Sequence, residues 1–221
     1  MNLPDALFGP EWLWAGHGLL ALVLGMAVLR APWRRLKDST QLNVWLGTCV
    51  FLMGIWSIKA GVRPGLNFHM LGATVLTLMV GPHLATLGMA VVVAAITLNG
   101  GAGWESYSLN VLLMGALPAW LSYAIYYNAD KRLPNNYFLY IFVNAFFGAA
   151  ASLAVCGLAA TLVLGLSGAY KVEYLLHDYL PYFILLGWSE AMLSGMVMSL
   201  MVAYRPAWVS TFDDVRYIHN K

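Results

Sequence analysis

Apolar residues run along this chain in six long blocks, at positions 12–29, 44–58, 70–98, 109–127, 137–166 and 180–204. Most charged residues fall between them. Blocks near or above about 20 residues suit helices that cross a bilayer, whose hydrocarbon core is ~30 Å thick. The block 70–98 is too long for one straight span: at 1.5 Å per residue its 29 residues reach about 44 Å. Gly81-Pro82 stands near its middle. Proline disfavours an interior helical turn and Gly-Pro is turn punctuation. The block is therefore one kinked span or two short helices.

Charge decides between them, because Lys and Arg collect on the cytoplasmic side of short loops. With two short helices, Arg30, Arg34, Arg35, Lys37, Lys131, Arg132, Arg205, Arg216 and Lys221 share one side, against Lys59, Arg63 and Lys171 on the other, nine to three. One long helix gives five to seven. The expectation is an all-α polytopic membrane protein of seven transmembrane helices, at about 12–30, 43–59, 69–80, 83–98, 108–127, 137–166 and 179–204. The N-terminus lies outside and the C-terminus in the cytoplasm. Residues 1–221 form a single transmembrane domain with a short polar tail. Residues 99–103, Asn-Gly-Gly-Ala-Gly, read as a flexible outer loop.

Composition agrees and excludes other classes. The chain is 61% hydrophobic and 10% charged, where a soluble domain carries roughly 25% charged residues. A net charge of +2 without a basic cluster speaks against a nucleic-acid partner; membrane lipids are the expected surroundings. Cys49 and Cys156 sit inside apolar blocks and read as small buried hydrophobes, with no disulfide framework. The opening Met1-Asn2-Leu3-Pro4-Asp5 has no positive n-region, so the start is not read as a cleaved signal peptide.

Polar residues at membrane depth are costly and so carry information. Under the seven-helix topology Met1, Asn2, Asp5, His17, His69, Asn99, Glu105 and Asn110 gather near the outer side. Glu190, roughly 15 Å along the last helix by rise, falls near the midplane. His83 falls at the inner end. Each has a plain alternative. His17 and Asn110 suit interhelical hydrogen bonds, and a buried carboxylate at Glu190 suits structural pairing. The eleven methionines suit a soft, adaptable core better than a metal path.

Three stretches carry a family resemblance. Met1-Asn2-Leu3-Pro4-Asp5 resembles an M-H-I-P-D opening. Residues 65–82 resemble a G-x-x-G-H-L-L-G segment that runs on to Gly-Pro, with His69 on the histidine, Gly72 on the later glycine and Gly81-Pro82 on the Gly-Pro. Ser108-Leu109-Asn110-Val111-Leu112 resembles G-A-N-V-L, and Glu190 matches a common last-helix glutamate. All belong to the CbiM/NikM family, the substrate-binding membrane components of cobalt and nickel energy-coupling-factor ABC transporters. The resemblance implies an N-terminus inserted toward the bundle. It implies a transition-metal ion (Ni, Co or another) held by the Met1 amine, the second residue and His69, with Asn67, Asn110 and Glu190 in supporting or coupling roles. Here the second residue is Asn2, not histidine. An amide oxygen is a poor ligand for Ni(II) or Co(II), so His17 and Asp5 are candidates to fill in.

Three function classes follow. The first is the capture subunit of a transporter. The chain has no G-x-x-x-x-G-K-[ST] run, so it would work with a separate coupling membrane subunit and ATPase subunits in the plasma (inner) membrane. The small residues Gly148, Ser152, Cys156 and Gly157, Thr161, Gly165 recur every four positions and suit packing against such a subunit or within the bundle. The second class is an accessory membrane protein that keeps the fold without metal uptake, supported by Asn2. The third, an intramembrane enzyme, finds no H-E-x-x-H and no paired catalytic groups.

Overall fold

A computed structural model describes residues 2–219, without the side chains of Val62 and His219. The first helix, α1 (Pro10–Arg30), starts on a proline, with Glu11 in its first turn and Arg30 in its last. All three choices suit the ends of a helix. A 3-10 turn at Trp33–Lys37 leads to α2 (Ser39–Ser57), whose N-cap Asp38 accepts a hydrogen bond from the Thr40 N–H. Then come α3 (Ala73–Val80) and α4 (Pro82–Leu98). Beyond the 99–106 loop lie α5 (Tyr107–Arg132) and α6 (Tyr137–Leu166). Each of these two carries a π-helical turn, at Leu112–Ala116 and Tyr140–Phe147. A short α7 (Val172–Asp178) precedes α8 (Tyr182–Tyr204).

The molecule is a predominantly helical, polytopic membrane protein. Helices α1, α5, α6 and α8 are long and apolar enough to cross a membrane, and α4 is a shorter apolar helix. Leu22, Leu162, Ile184 and Trp188 turn outward, a surface that suits lipid and not water.

Two departures from the sequence reading shape the site. The chain is not purely helical: β1 (Ala60–Arg63) and β2 (Leu66–Phe68) pair antiparallel around Pro64-Gly65, with Ala60 opposite Phe68. The hairpin is held from the side, by the Arg63 guanidinium 4.3 Å from the Tyr174 ring centroid and by Tyr170, whose hydroxyl donates to the Pro64 carbonyl at 2.7 Å. Second, the helix expected over 69–80 begins only at Ala73. His69 therefore lies in the irregular stretch between β2 and α3. The Gly81-Pro82 pair does separate two helices: Gly81 takes φ +81° and closes α3, and Pro82 opens α4.

Helix α3 is the axis of the bundle. All eight of its residues are buried, and it packs against α4, α5, α6 and α8. A helix leaves unpaired N–H groups at its start and unpaired carbonyls at its end. Both ends of α3 find partners elsewhere in the chain. At its end, Ser210 N–H donates to Met79 O at 2.9 Å, and Thr211 Oγ1 donates to Leu78 O at 2.8 Å. The polar tail that supplies them docks on the bundle. Tyr140 meets Thr211 Oγ1 at 2.7 Å, and Arg216 pairs with Asp130 at 2.9 Å.

The small-residue stripe on α6 is used inside the chain. A Cβ on Gly157 would lie 2.3 Å from the Phe183 ring, so α8 sits tight against it. A groove of about 630 Å³ opens between α2, α3 and α8, lined by Phe51, Leu52, Val75, Met79, Val197 and Met201 among others. Among the described residues no titratable side chain lines it, and it reaches Gly72 but not His69.

Candidate functional site

The amino-terminal segment is tied down by side chains distant in sequence. Asn110, buried on α5, grips Leu3 twice. Its Oδ1 accepts from the Leu3 N–H at 2.8 Å, and its Nδ2 donates to the Leu3 carbonyl at 3.0 Å. The same carbonyl accepts from the Gly103 N–H at 3.0 Å. Ser106 Oγ donates to Pro4 O at 2.8 Å. Asp5 Oδ1 accepts from the Glu105 N–H at 2.8 Å. The Gly-rich loop over residues 99–103, expected to be flexible, thus ends in a cradle for residues 2–6.

The cradle delivers Asn2 to His69. Their side chains are buried, with 2% and 3% of their surface exposed, and Asn2 Oδ1 lies 2.9 Å from His69 Nε2. His69 Nδ1 lies 3.1 Å from the Met70 carbonyl. The Trp56 ring covers the imidazole at 4.4 Å between centroids, and its Nε1–H donates to Leu71 O at 3.0 Å. The Asn2 backbone N–H donates to Asn67 Oδ1 at 2.7 Å. Burial disfavours the charged form of the imidazole, so the ring is neutral.

Glu190 supports this arrangement from behind. Its two oxygens accept from the Gly72 and Leu71 N–H groups at 2.7 and 2.8 Å. Those groups lie just ahead of α3, where the helix dipole favours a carboxylate. The sequence reading set Glu190 apart from His69 by depth. The structure joins the two through the backbone of residues 69–72.

Of the other expected site residues, Met1 lies outside the described residues. Asp5 is spent on the loop. His17 is exposed on α1, its ring edge-on to Trp14 at 6.0 Å, and is not gathered in with His69. Asn67 and Asn110 hold the backbone of residues 2 and 3. Among the described residues no three of His, Cys, Asp and Glu converge as a metal cluster. Trp56, Gly103 and Ser106 escaped the sequence reading: an indole at a helix end and small loop residues carry no chemical signal until their partners are known.

The result is a helical membrane bundle that seats its own N-terminal segment beside a buried histidine. The chain belongs to the CbiM family: the model of the cobalt uptake substrate-specific transmembrane region matches residues 2–208. It is also similar in fold to two solved structures. One is the crystal structure of a truncated transition metal transporter, 18% identical, covering 92% of this chain and 99% of the other at a TM-score of 0.79. The second is the crystal structure of a transition metal transporter, 19% identical, covering 92% and 93% at a TM-score of 0.80. No curated protein matches the sequence.

Proposed function

We propose that this chain is the substrate-capture membrane subunit of an energy-coupling-factor-type transporter, taking up a transition-metal ion of the cobalt or nickel kind from outside. Its ligands are His69 and the Met1 amine, in a seven-span topology with the N-terminus outside, in the plasma (inner) membrane. Separate coupling and ATPase subunits supply the energy. The observation that carries the reading is the seating of residues 2–6, which brings Asn2 within 2.9 Å of His69 Nε2. Membership of the cobalt-uptake family supports it.

Nickel and cobalt binding by protein with a native start, by an N-terminally extended form and by His69→Ala tests it. The extended form has an amide in place of the amine and is expected to lose binding. His69→Ala is expected to weaken binding by at least the roughly 10–100-fold that loss of a supporting residue costs a metal site. Equal metal content in all three forms sinks the proposal. Orientation has its own test. Cys49 and Cys156 are buried, so a thiol placed by Asn135→Cys reports alone. It is expected to react with an impermeant reagent only from the cytoplasmic side; reaction from outside reverses the topology.

One observation favours the accessory-protein reading. The Asn2 backbone nitrogen and both ring nitrogens of His69, at positions the resemblance gives to the metal, face hydrogen-bond partners. A chain that binds no metal in any of the three forms is expected under that reading.

A further inference from the structure

The hydrogen bonds around His69 do not close with the Asn2 carboxamide as placed. Both ring nitrogens face oxygen: Nε2 faces Asn2 Oδ1 at 2.9 Å, and Nδ1 faces Met70 O at 3.1 Å. A neutral imidazole has one N–H and one lone pair, so it donates to only one of them. Its burial, with no carboxylate among its hydrogen-bond partners, keeps it neutral. Meanwhile Asn2 Nδ2, a double donor, is buried with no partner among the described residues. Exchanging the two ends of the carboxamide, which have the same outline, resolves most of this at once. Nδ2 then donates to the Nε2 lone pair, and the Nδ1–H donates to Met70 O. What is left over is the carbonyl oxygen and one N–H, in place of two N–H groups and a lone pair set against the Met70 carbonyl.

We infer that the Asn2 carboxamide donates to His69 Nε2 and is the specificity-determining group of this site, occupying the lone pair that a metal ion needs. The inference rests on the metal-capture reading for its consequence but not for its geometry. A metal reaches His69 only by breaking the Asn2–His69 bond. Ions that bind imidazole weakly are thereby refused, and those that bind it strongly are held less tightly than an open ring would hold them. Asn2 acts here as a competitor for the ligand, which is the opposite of an oxygen ligand in its own right.

Two measurements decide it. In the metal-free native chain, nitrogen NMR of labelled histidine is expected to show His69 as the Nδ1–H tautomer with an unprotonated Nε2; a proton on Nε2 overturns the inference whatever the metal results. Nickel titration of Asn2→Ala beside the native chain is expected to show binding tighter by roughly fivefold, the weight of one competing hydrogen bond. Weaker binding by Asn2→Ala makes the side chain a ligand and overturns the inference. If neither form binds nickel, the capture proposal falls and the tautomer alone decides the Asn2 bond.

Discussion

Glu190→Gln is expected to destabilise the folded chain by about 3 kcal/mol, from a charge-assisted bond weakened and a buried N–H left unmet. Both Glu190 oxygens accept, from Gly72 and Leu71, which a carboxylate does and a carboxamide does not. Glutamine offers one oxygen, and its NH2 turns a donor toward a backbone donor. The buried chain at the start of α3 then shifts, and His69 lies two residues ahead of Leu71. Thermal unfolding in detergent, read beside nickel affinity, checks this. Stability and affinity are expected to fall together. A Glu190→Gln protein as stable as the native one removes the carboxylate from the support of the site.

Gly103→Ala is expected to abolish metal capture while leaving the bundle standing. The new Cβ would sit 2.0 Å from Asp5 Oδ1 and 2.3 Å from the Asp5 backbone nitrogen. The first clash a rotating side chain relieves; the second it does not. Residues 3–5 must lift, and the Gly103–Leu3 and Glu105–Asp5 hydrogen bonds go with them. At about 1 kcal/mol each these losses fall on the N-terminal segment and spare the helices. Nickel affinity should drop at least tenfold with little change in melting temperature, and residues 2–6 should become open to proteolysis. Native affinity in Gly103→Ala shows that the seat is not needed.

The helices were legible because apolar runs of spanning length have few other uses in a chain this poor in charge. The Gly81-Pro82 break was legible for a similar reason: both residues resist the middle of a helix. The hairpin over residues 60–68 was not. Strands of four and three residues are too short to show an alternating pattern, and Lys59, Arg63, Pro64 and Gly65 look like any loop. Within the site, His69, Asn67, Asn110 and Glu190 stood out as polar groups in apolar surroundings, but so did His17. Polarity marks a residue without naming its partner. The Leu3–Asn110 bonds span 107 positions and the Leu71–Glu190 bond spans 119, distances over which no local pattern extends. Asn2 was read as a ligand lost. Only the positions of both ring nitrogens and of the unpaired amide show it as a group that bonds to the histidine.

Helix α3 remains, short and buried on every side. Eight residues at 1.5 Å each make a rod of about 12 Å, too stubby to bend and too closely hemmed in to tilt alone. One end is pinned through Glu190 beside His69, the other through Ser210 and Thr211 of the tail. The Glu190 carboxylate and the tail beyond α8 thus hold the same short rod, about two helical turns apart.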